Sequence, residues 1–348
     1  MSRIYLDPAA TTPVLPAARE AMAEALARWH NPSSPHAEGR AAKAALEDAR
    51  ARIVAALGWG GKIVFTSGAS EALGIALQRV VAGPRFVSAV EHDAVFRAAP
   101  DAVKLPVVSE GLVDLTPVQG QQPLVAVQHA NNETGILQPL DSILVAVRNK
   151  GGLLLADCAQ TAGKLPLPEA DMIAISAHKF GGPPGVGALL LRDYGLVGAT
   201  GGQEQGYRTG TENLPGIIGM AVALETGSAW MDRAVTLRTR LESAILAAGG
   251  EVVGASSPRI ATIGAYRMPG VPSNAQLIQF DMAGISVSAG SACSSGSLKS
   301  SHVLAALGWS EDAAREVVRV SFGPSTTEEE VDRFAAHWTE MAGKRRAA

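Results

Sequence analysis

The sequence predicts an α/β protein, built as a large domain with a mostly parallel sheet and a smaller α+β domain. Three observations carry that reading. Between residues 62 and 191, short β-rich apolar runs alternate with longer helical patterns, as expected for helices layered on a parallel sheet. Those runs are continuous rather than alternating, which suits strands covered on both faces. After Gly216 the character changes, and shorter strands separate longer helices.

In chain order, helices are expected near Val14–Trp29 and Ala37–Leu57. The second places Ala45, Leu46, Ala49, Ile53, Ala56 and Leu57 on one face. The strands of the large sheet are expected at Lys62–Thr66, Phe86–Val90, Leu124–Gln128, Leu153–Ala156, Met172–Ser176 and Gly187–Leu191. Helices at Ser70–Val81 and Asp141–Asn149 lie between them. A helix near Val235–Ala248 opens the smaller domain, followed by strands near Glu251–Val253 and Ile260–Ile263. Ser273 with Gln276 reads as a capping box for a helix to Met282, and Thr326 with Glu329 as the cap of the last helix. Strands near Ile285–Ser288 and Val317–Ser321 stand between those two helices. The expected division is 13–233 for the large domain, with 1–12 and 234–348 forming the small one.

Composition excludes several function classes. A chain of 348 residues corresponds to about two domains. With 47% apolar and 18% charged residues, disorder is ruled out for most of it. A net charge of −3 argues against nucleic acid or an anionic membrane as the main partner. No apolar run approaches the roughly 18 residues of a spanning helix. Asp7 and Pro8 interrupt the start before a signal peptide could form. The two cysteines, Cys158 and Cys293, cannot build a disulfide framework and suit a reducing, cytoplasmic setting.

Three short segments carry candidate chemistry. In Ser176-Ala177-His178-Lys179, a lysine follows a strand end and is backed by glycines, a placement open to a Schiff-base lysine or to an exposed turn residue. In Leu153–Cys158 an apolar strand runs into Asp157, and ligands bind at the carboxyl ends of such strands. A buried carboxylate there needs a cationic partner. The protonated ring nitrogen of pyridoxal phosphate is one, and that cofactor also requires a lysine. A helix N-cap is the plainer role for Asp157. The third segment, Phe65-Thr66-Ser67-Gly68-Ala69-Ser70-Glu71, runs from strand through glycine turn to helix and suits a phosphate, as many such turns do.

Taken together, these segments resemble the class V aminotransferases, and more narrowly the cysteine desulfurases of the NifS/IscS-like kind. The resemblance runs from Tyr5-Leu6-Asp7 to Thr326–Glu330 and includes Glu91-His92, Asn131-Asn132-Glu133, Arg208–Asn213 and Ser291-Ala292-Cys293. It implies a fold-type I pyridoxal phosphate transferase. Lys179 would form the Schiff base, Asp157 would partner the ring nitrogen, and Gln160 would contact the ring hydroxyl. Ala69, Ser70, Ser176 and His178 would hold the phosphate, and His92 would stack on the ring and move protons. Asn132 and Arg319 would hold the substrate carboxylate. Thr211 would reach the phosphate of a second subunit, implying a homodimer. The sequence departs from the family at Ser70, Pro184, Gln205 and Pro324. Only a short stretch follows Glu330, where many relatives carry a tail that docks iron–sulfur scaffold proteins.

Cys293 lies among small residues, Ser288–Ser297, so an exposed loop is expected. By the resemblance its thiolate takes sulfur from L-cysteine as a persulfide, leaves L-alanine, and passes the sulfur to an acceptor protein in iron–sulfur assembly or another route. Cys158 follows a buried strand and reads as packing. Two other readings stand beside this one. One is a class V aminotransferase or selenocysteine lyase that does not need Cys293. The other is a non-catalytic partner that binds the cofactor only structurally.

Overall fold

The computed structural model describes residues 3–28, 30–290 and 301–346. Its largest sheet has seven strands, in the order β2 (Lys62–Thr66), β8 (Gly187–Leu191), β7 (Met172–Ser176), β6 (Leu153–Asp157), β5 (Leu124–Gln128), β3 (Arg85–Ser88) and β4 (Val103–Leu105). From β7 to β4 all neighbours are parallel, whereas β8 is antiparallel to both β2 and β7. Successive side chains of a strand point to opposite faces, so each face needs its own cover. Ile63, Phe65, Val125 and Val127 face α1 (Pro16–Ala27), α2 (Ala37–Leu57), α5 (Leu140–Arg148) and α6 (Leu214–Glu225). Val64, Leu124, Ala126 and Leu155 face α3 (Ala69–Arg79) and α4 (Asp93–Ala98).

Two smaller sheets complete the fold. β12 (Val317–Ser321) and β9 (Glu251–Val252) flank β10 (Ile263–Arg267), all antiparallel. β1 (Ile4–Tyr5) pairs in parallel with β11 (Ile285–Ser286). α7 (Met231–Ala247), α8 (Ser273–Met282) and α11 (Glu328–Arg346) close a further core around Tyr266, Phe280, Phe334 and Trp338. Ile4 and Leu6 join that same core. The short helices α9 (His302–Ala306) and α10 (Glu311–Ala314) precede β12.

Several elements differ from the sequence reading. The strand expected at Ile260–Ile263 begins only at Ile263, because the Ile260 N–H is drawn off to the Gly135 carbonyl at 2.8 Å. The strand expected to Val90 ends at Ser88, whose hydroxyl accepts the Val90 N–H. No capping box opens α8: the Ser273 side chain makes no cap, and Gln276 donates to the Val271 and Glu316 carbonyls instead. The box on α11 sits one residue later than expected. Thr327 and Glu330 bond each other's N–H groups, while the Thr326 hydroxyl takes the Gly323 N–H. α6, which the sequence reading omits, is buried along most of its length. Among the described residues no helix is long and apolar enough to cross a membrane.

Candidate active site

The carboxyl ends of β6 and β7 lie side by side, Asp157 opposite Ala174, and open into a cavity of about 390 Å³. Asp157 ends its strand with one oxygen on the Ala159 N–H at 2.9 Å. The sequence left open a cap or a ligand partner, and the residue combines a short cap with a place on the cavity wall. After β7 a single 3₁₀ turn, Ala177–Lys179, carries His178 and Lys179 to the same cavity. Lys179 Nζ donates to the carbonyls of Ala9 and Ala10 at 2.7 and 2.9 Å. Thr12 fixes that turn from the other side, through its N–H on the His178 carbonyl and its hydroxyl on the Lys179 carbonyl.

The third wall is the turn before α3. Gly68 precedes the helix with no side-chain cap, so the first N–H groups of α3 are open to an anion. This turn sits close against β8 because position 187 is glycine. A Cβ there would fall 2.4 Å from the Ile175 carbonyl oxygen and 2.6 Å from the Gly68 Cα. Ala69, Ser70 and Ser176 line the cavity as the sequence reading expects, with Gln160, His92, Asn132 and Arg319 around the rest.

Arg319 is the deepest cation at this site. The alternation in Val317–Ser321 suggests an outward charge, yet all five positions of β12 are buried. Its Nη2 pairs with Asp7 Oδ1 at 2.6 Å and its Nη1 donates to the Asn132 carbonyl at 3.0 Å. Its Nε is buried and unpartnered. Gln160 Nε2 donates to the Ala9 carbonyl at 3.0 Å, and its Oε1 is likewise buried without a donor.

Burial dominates the electrostatics. It pushes the Asp157 carboxyl up, opposed by the Ala159 N–H and by the charges of His92 and Lys179. Glu91, the residue before His92, is pushed well up by burial and by Asp157. Burial lowers His92, as does the Lys179 charge, while Asp157 acts in the opposite sense. His92 Nδ1 accepts the Ala94 N–H at 3.2 Å, so in the neutral ring the proton sits on Nε2. Burial, with Lys179 and Lys164, brings His178 down to about 4. The Cys158 thiol is pushed far up by burial, in keeping with a packing role.

Among the described residues, one expected residue is not on these walls. Thr211 is exposed and is not among the residues lining the cavity. Cys293 lies outside the described residues. Ser301, where description resumes, caps α9 and donates to the buried Glu133 at 2.6 Å. The sequence reading missed Asp7, Ala9 and Ala10. The last two act through backbone carbonyls, which leave no trace in residue type. Among the described residues no cluster of His, Cys, Asp and Glu is arranged to hold a metal ion.

Comparisons with known proteins agree with this geometry. Residues 4–334 match the family described as Aminotransferase class-V. A cysteine desulfurase of Cereibacter sphaeroides is 36% identical, over 96% of this chain and 94% of its own length. The structure of a NifS-like protein from Rickettsia africae superposes with a TM-score of 0.90 at 29% identity, over 98% of this chain and 99% of that one. A structure described as SspA in complex with cysteine gives a TM-score of 0.81 at 29% identity, over 93% and 100%. The chain therefore belongs to the class V aminotransferase family, a family of pyridoxal-phosphate-dependent enzymes, and within it to the cysteine desulfurases. Its fold is that of the fold-type I members of that cofactor class.

The residues present suit the cofactor. The buried Asp157 carboxylate would meet a protonated ring nitrogen. The orphaned Gln160 Oε1 would meet a ring hydroxyl, the open N–H groups of α3 a phosphate, and Lys179 Nζ an aldehyde.

Proposed function

We propose that this chain converts L-cysteine to L-alanine and carries the released sulfur as a persulfide on Cys293. The observation that carries the reading is the convergence of Asp157, Lys179 and Arg319 on one cavity. The cysteine desulfurase relatives supply the substrate class.

When bound at Lys179, pyridoxal phosphate supplies delocalisation of the negative charge left when a bond at the substrate α-carbon breaks. Asp157 would keep the ring nitrogen protonated. The open N–H groups of α3, with Ser70, Ser176 and His178, would hold the phosphate. His178, neutral above about pH 4, would contribute a hydrogen bond rather than a full charge.

Arg319 binds the substrate carboxylate. Its unpartnered Nε leaves one donor of the fork open, and a planar fork meets a carboxylate better than a point charge. Asn132 completes that end. Lys179 Nζ would take the α-proton and return it to carbon, while the Nε2 proton of His92 would serve a second proton transfer in the same cavity. The Cys293 thiolate attacks the substrate sulfur. The sulfur–carbon bond breaks, its electron pair goes to carbon, and the new S–S bond stays on the protein. The enzyme works as a cytoplasmic homodimer in which exposed Thr211 reaches the phosphate of the second subunit. Residues 13–233 form the cofactor-binding domain, 1–12 and 234–348 form the other, and an acceptor protein of iron–sulfur assembly collects the sulfur.

Mass spectrometry after exposure to L-cysteine tests this directly. The expected result is one added sulfur on the peptide containing Cys293, with L-alanine formed alongside. Alanine without sulfur on that peptide overturns the assignment of Cys293.

A further inference from the structure

Arg208 belongs to a segment the sequence singles out, yet the proposed reaction gives it no task. Its Nε donates to Glu71 Oε1 at 2.8 Å. Glu71 is the third residue of α3 and reaches back to accept the Ser67 N–H, so it shapes the turn before the helix. It also lines the cavity, together with Ser67, Gly68, Ala69 and Ser70. Burial raises the Glu71 carboxyl, but the Ser67 N–H and Arg208 outweigh burial and bring it below its ordinary value. The side chain is therefore ionised at neutral pH. An anion is thus built into the wall that would receive a phosphate, and like charges so close repel. Arg208 is not among the residues lining the cavity, so its charge acts there through Glu71. The backbone that carries it is held by other contacts. Arg208 bridges to Gln203, and the Tyr207 carbonyl accepts from Arg79 Nη1 at 3.0 Å. The Tyr207 ring stacks on Tyr194 with centroids 4.8 Å apart. The scaffold delivers the guanidinium to Glu71.

We propose that Arg208 is a positioning residue for the phosphate end of the cofactor: it neutralises Glu71, so that one carboxylate can order the turn without repelling the phosphate. The inference rests on the cofactor reading above. Glu71 has two effects that conflict. Its bond to the Ser67 N–H fixes the turn from which the α3 N–H groups project, while its charge opposes the ligand those groups are to hold. The guanidinium cancels the charge and leaves the bond. Side chains of this pair are 21% and 30% exposed, and ion pairs so placed add little to folding stability. The effect of the pair therefore falls on the ligand. Loss of Arg208 alone should harm binding of a phosphate-bearing ligand, and loss of both charges together should not.

The test uses cofactor-free full-length protein and two probes that lack the aldehyde, 4-deoxypyridoxine 5′-phosphate and 4-deoxypyridoxine. Both are titrated at about pH 8, where the phosphate is fully ionised. In Arg208→Gln the Kd of the phosphorylated probe should rise at least about tenfold, the scale of an uncompensated like charge in a partly buried site. The unphosphorylated probe should shift by less than about threefold, since it brings no charge to that end. Glu71→Gln keeps an oxygen for the Ser67 N–H. Added to Arg208→Gln, it should return the phosphorylated probe to within about threefold of the parent. A loss of equal size with both probes, or a double variant that binds no tighter than Arg208→Gln, overturns the proposal. Should Arg208→Gln fail to fold, Glu71→Gln alone decides. It should bind the phosphorylated probe at least as tightly as the parent, and weaker binding overturns the proposal. A parent that binds the phosphorylated probe no better than the unphosphorylated one overturns the cofactor reading itself, and this inference with it.

Discussion

Arg319 and Asp7 stand at opposite ends of the chain, yet Nη2 of one lies 2.6 Å from Oδ1 of the other. The pair is almost wholly removed from solvent on the arginine side, at 4% exposure. Asp7 thereby fixes the plane of the guanidinium, whose Nε stays buried and unpartnered.

Arg319→Lys should therefore raise KM for L-cysteine at least about tenfold, a loss of roughly 1.4 kcal/mol of binding. An ammonium cannot hold Asp7, the Asn132 carbonyl and a carboxylate in one plane. Steady-state kinetics on the purified variant measures it. An unchanged KM would show that the carboxylate sits elsewhere.

Lys179→Ala should abolish covalent cofactor attachment. The 3₁₀ turn brings no second lysine to the cavity wall. Borohydride reduction followed by peptide mapping reads the outcome, and a normal yield of label on another lysine would refute the assignment.

Asp157→Asn should keep the fold, because the amide oxygen can still accept the Ala159 N–H. Turnover should drop at least about a hundredfold, the scale of losing one charge-stabilising group at a reaction centre. Activity within a few-fold of the parent would mean that Asp157 does not face the ring.

Cys293→Ser should leave cofactor and cysteine binding in place and remove nearly all desulfuration, since an oxygen cannot carry sulfur as a persulfide and is a poorer nucleophile at neutral pH. The ratio of L-alanine formed by variant and parent is the measurement. A variant that keeps most of the activity favours a class V aminotransferase or selenocysteine lyase over a desulfurase that works through a persulfide.

The parts of the site that were legible in the sequence share one property. Asp157, Ser176 and Lys179 each end or follow an apolar run, so the ends of the predicted strands placed them at one end of the sheet, and the resemblance supplied their roles. The resemblance, not the strand pattern, brought Arg319 to the site: its neighbours mimic a half-exposed strand, while all five positions of β12 are buried. α6 was missed for the opposite reason: it is apolar almost all round and offers no 3.6-residue stripe. The α11 cap slipped by one because Thr326-Thr327 and Glu328-Glu329-Glu330 give two equivalent spacings, and only the Gly323 N–H decides which threonine is free. The Ala9 and Ala10 carbonyls were invisible, since any residue supplies them.

The Lys179 amine rests on carbonyls from residues 9 and 10, and Arg319 lines the same cavity. Two segments far apart in sequence thus converge on one space. Disturbing either reaches the same walls: loss of the Ala9–Ala10 segment removes both carbonyls from the Lys179 amine, and loss of β12 removes Arg319.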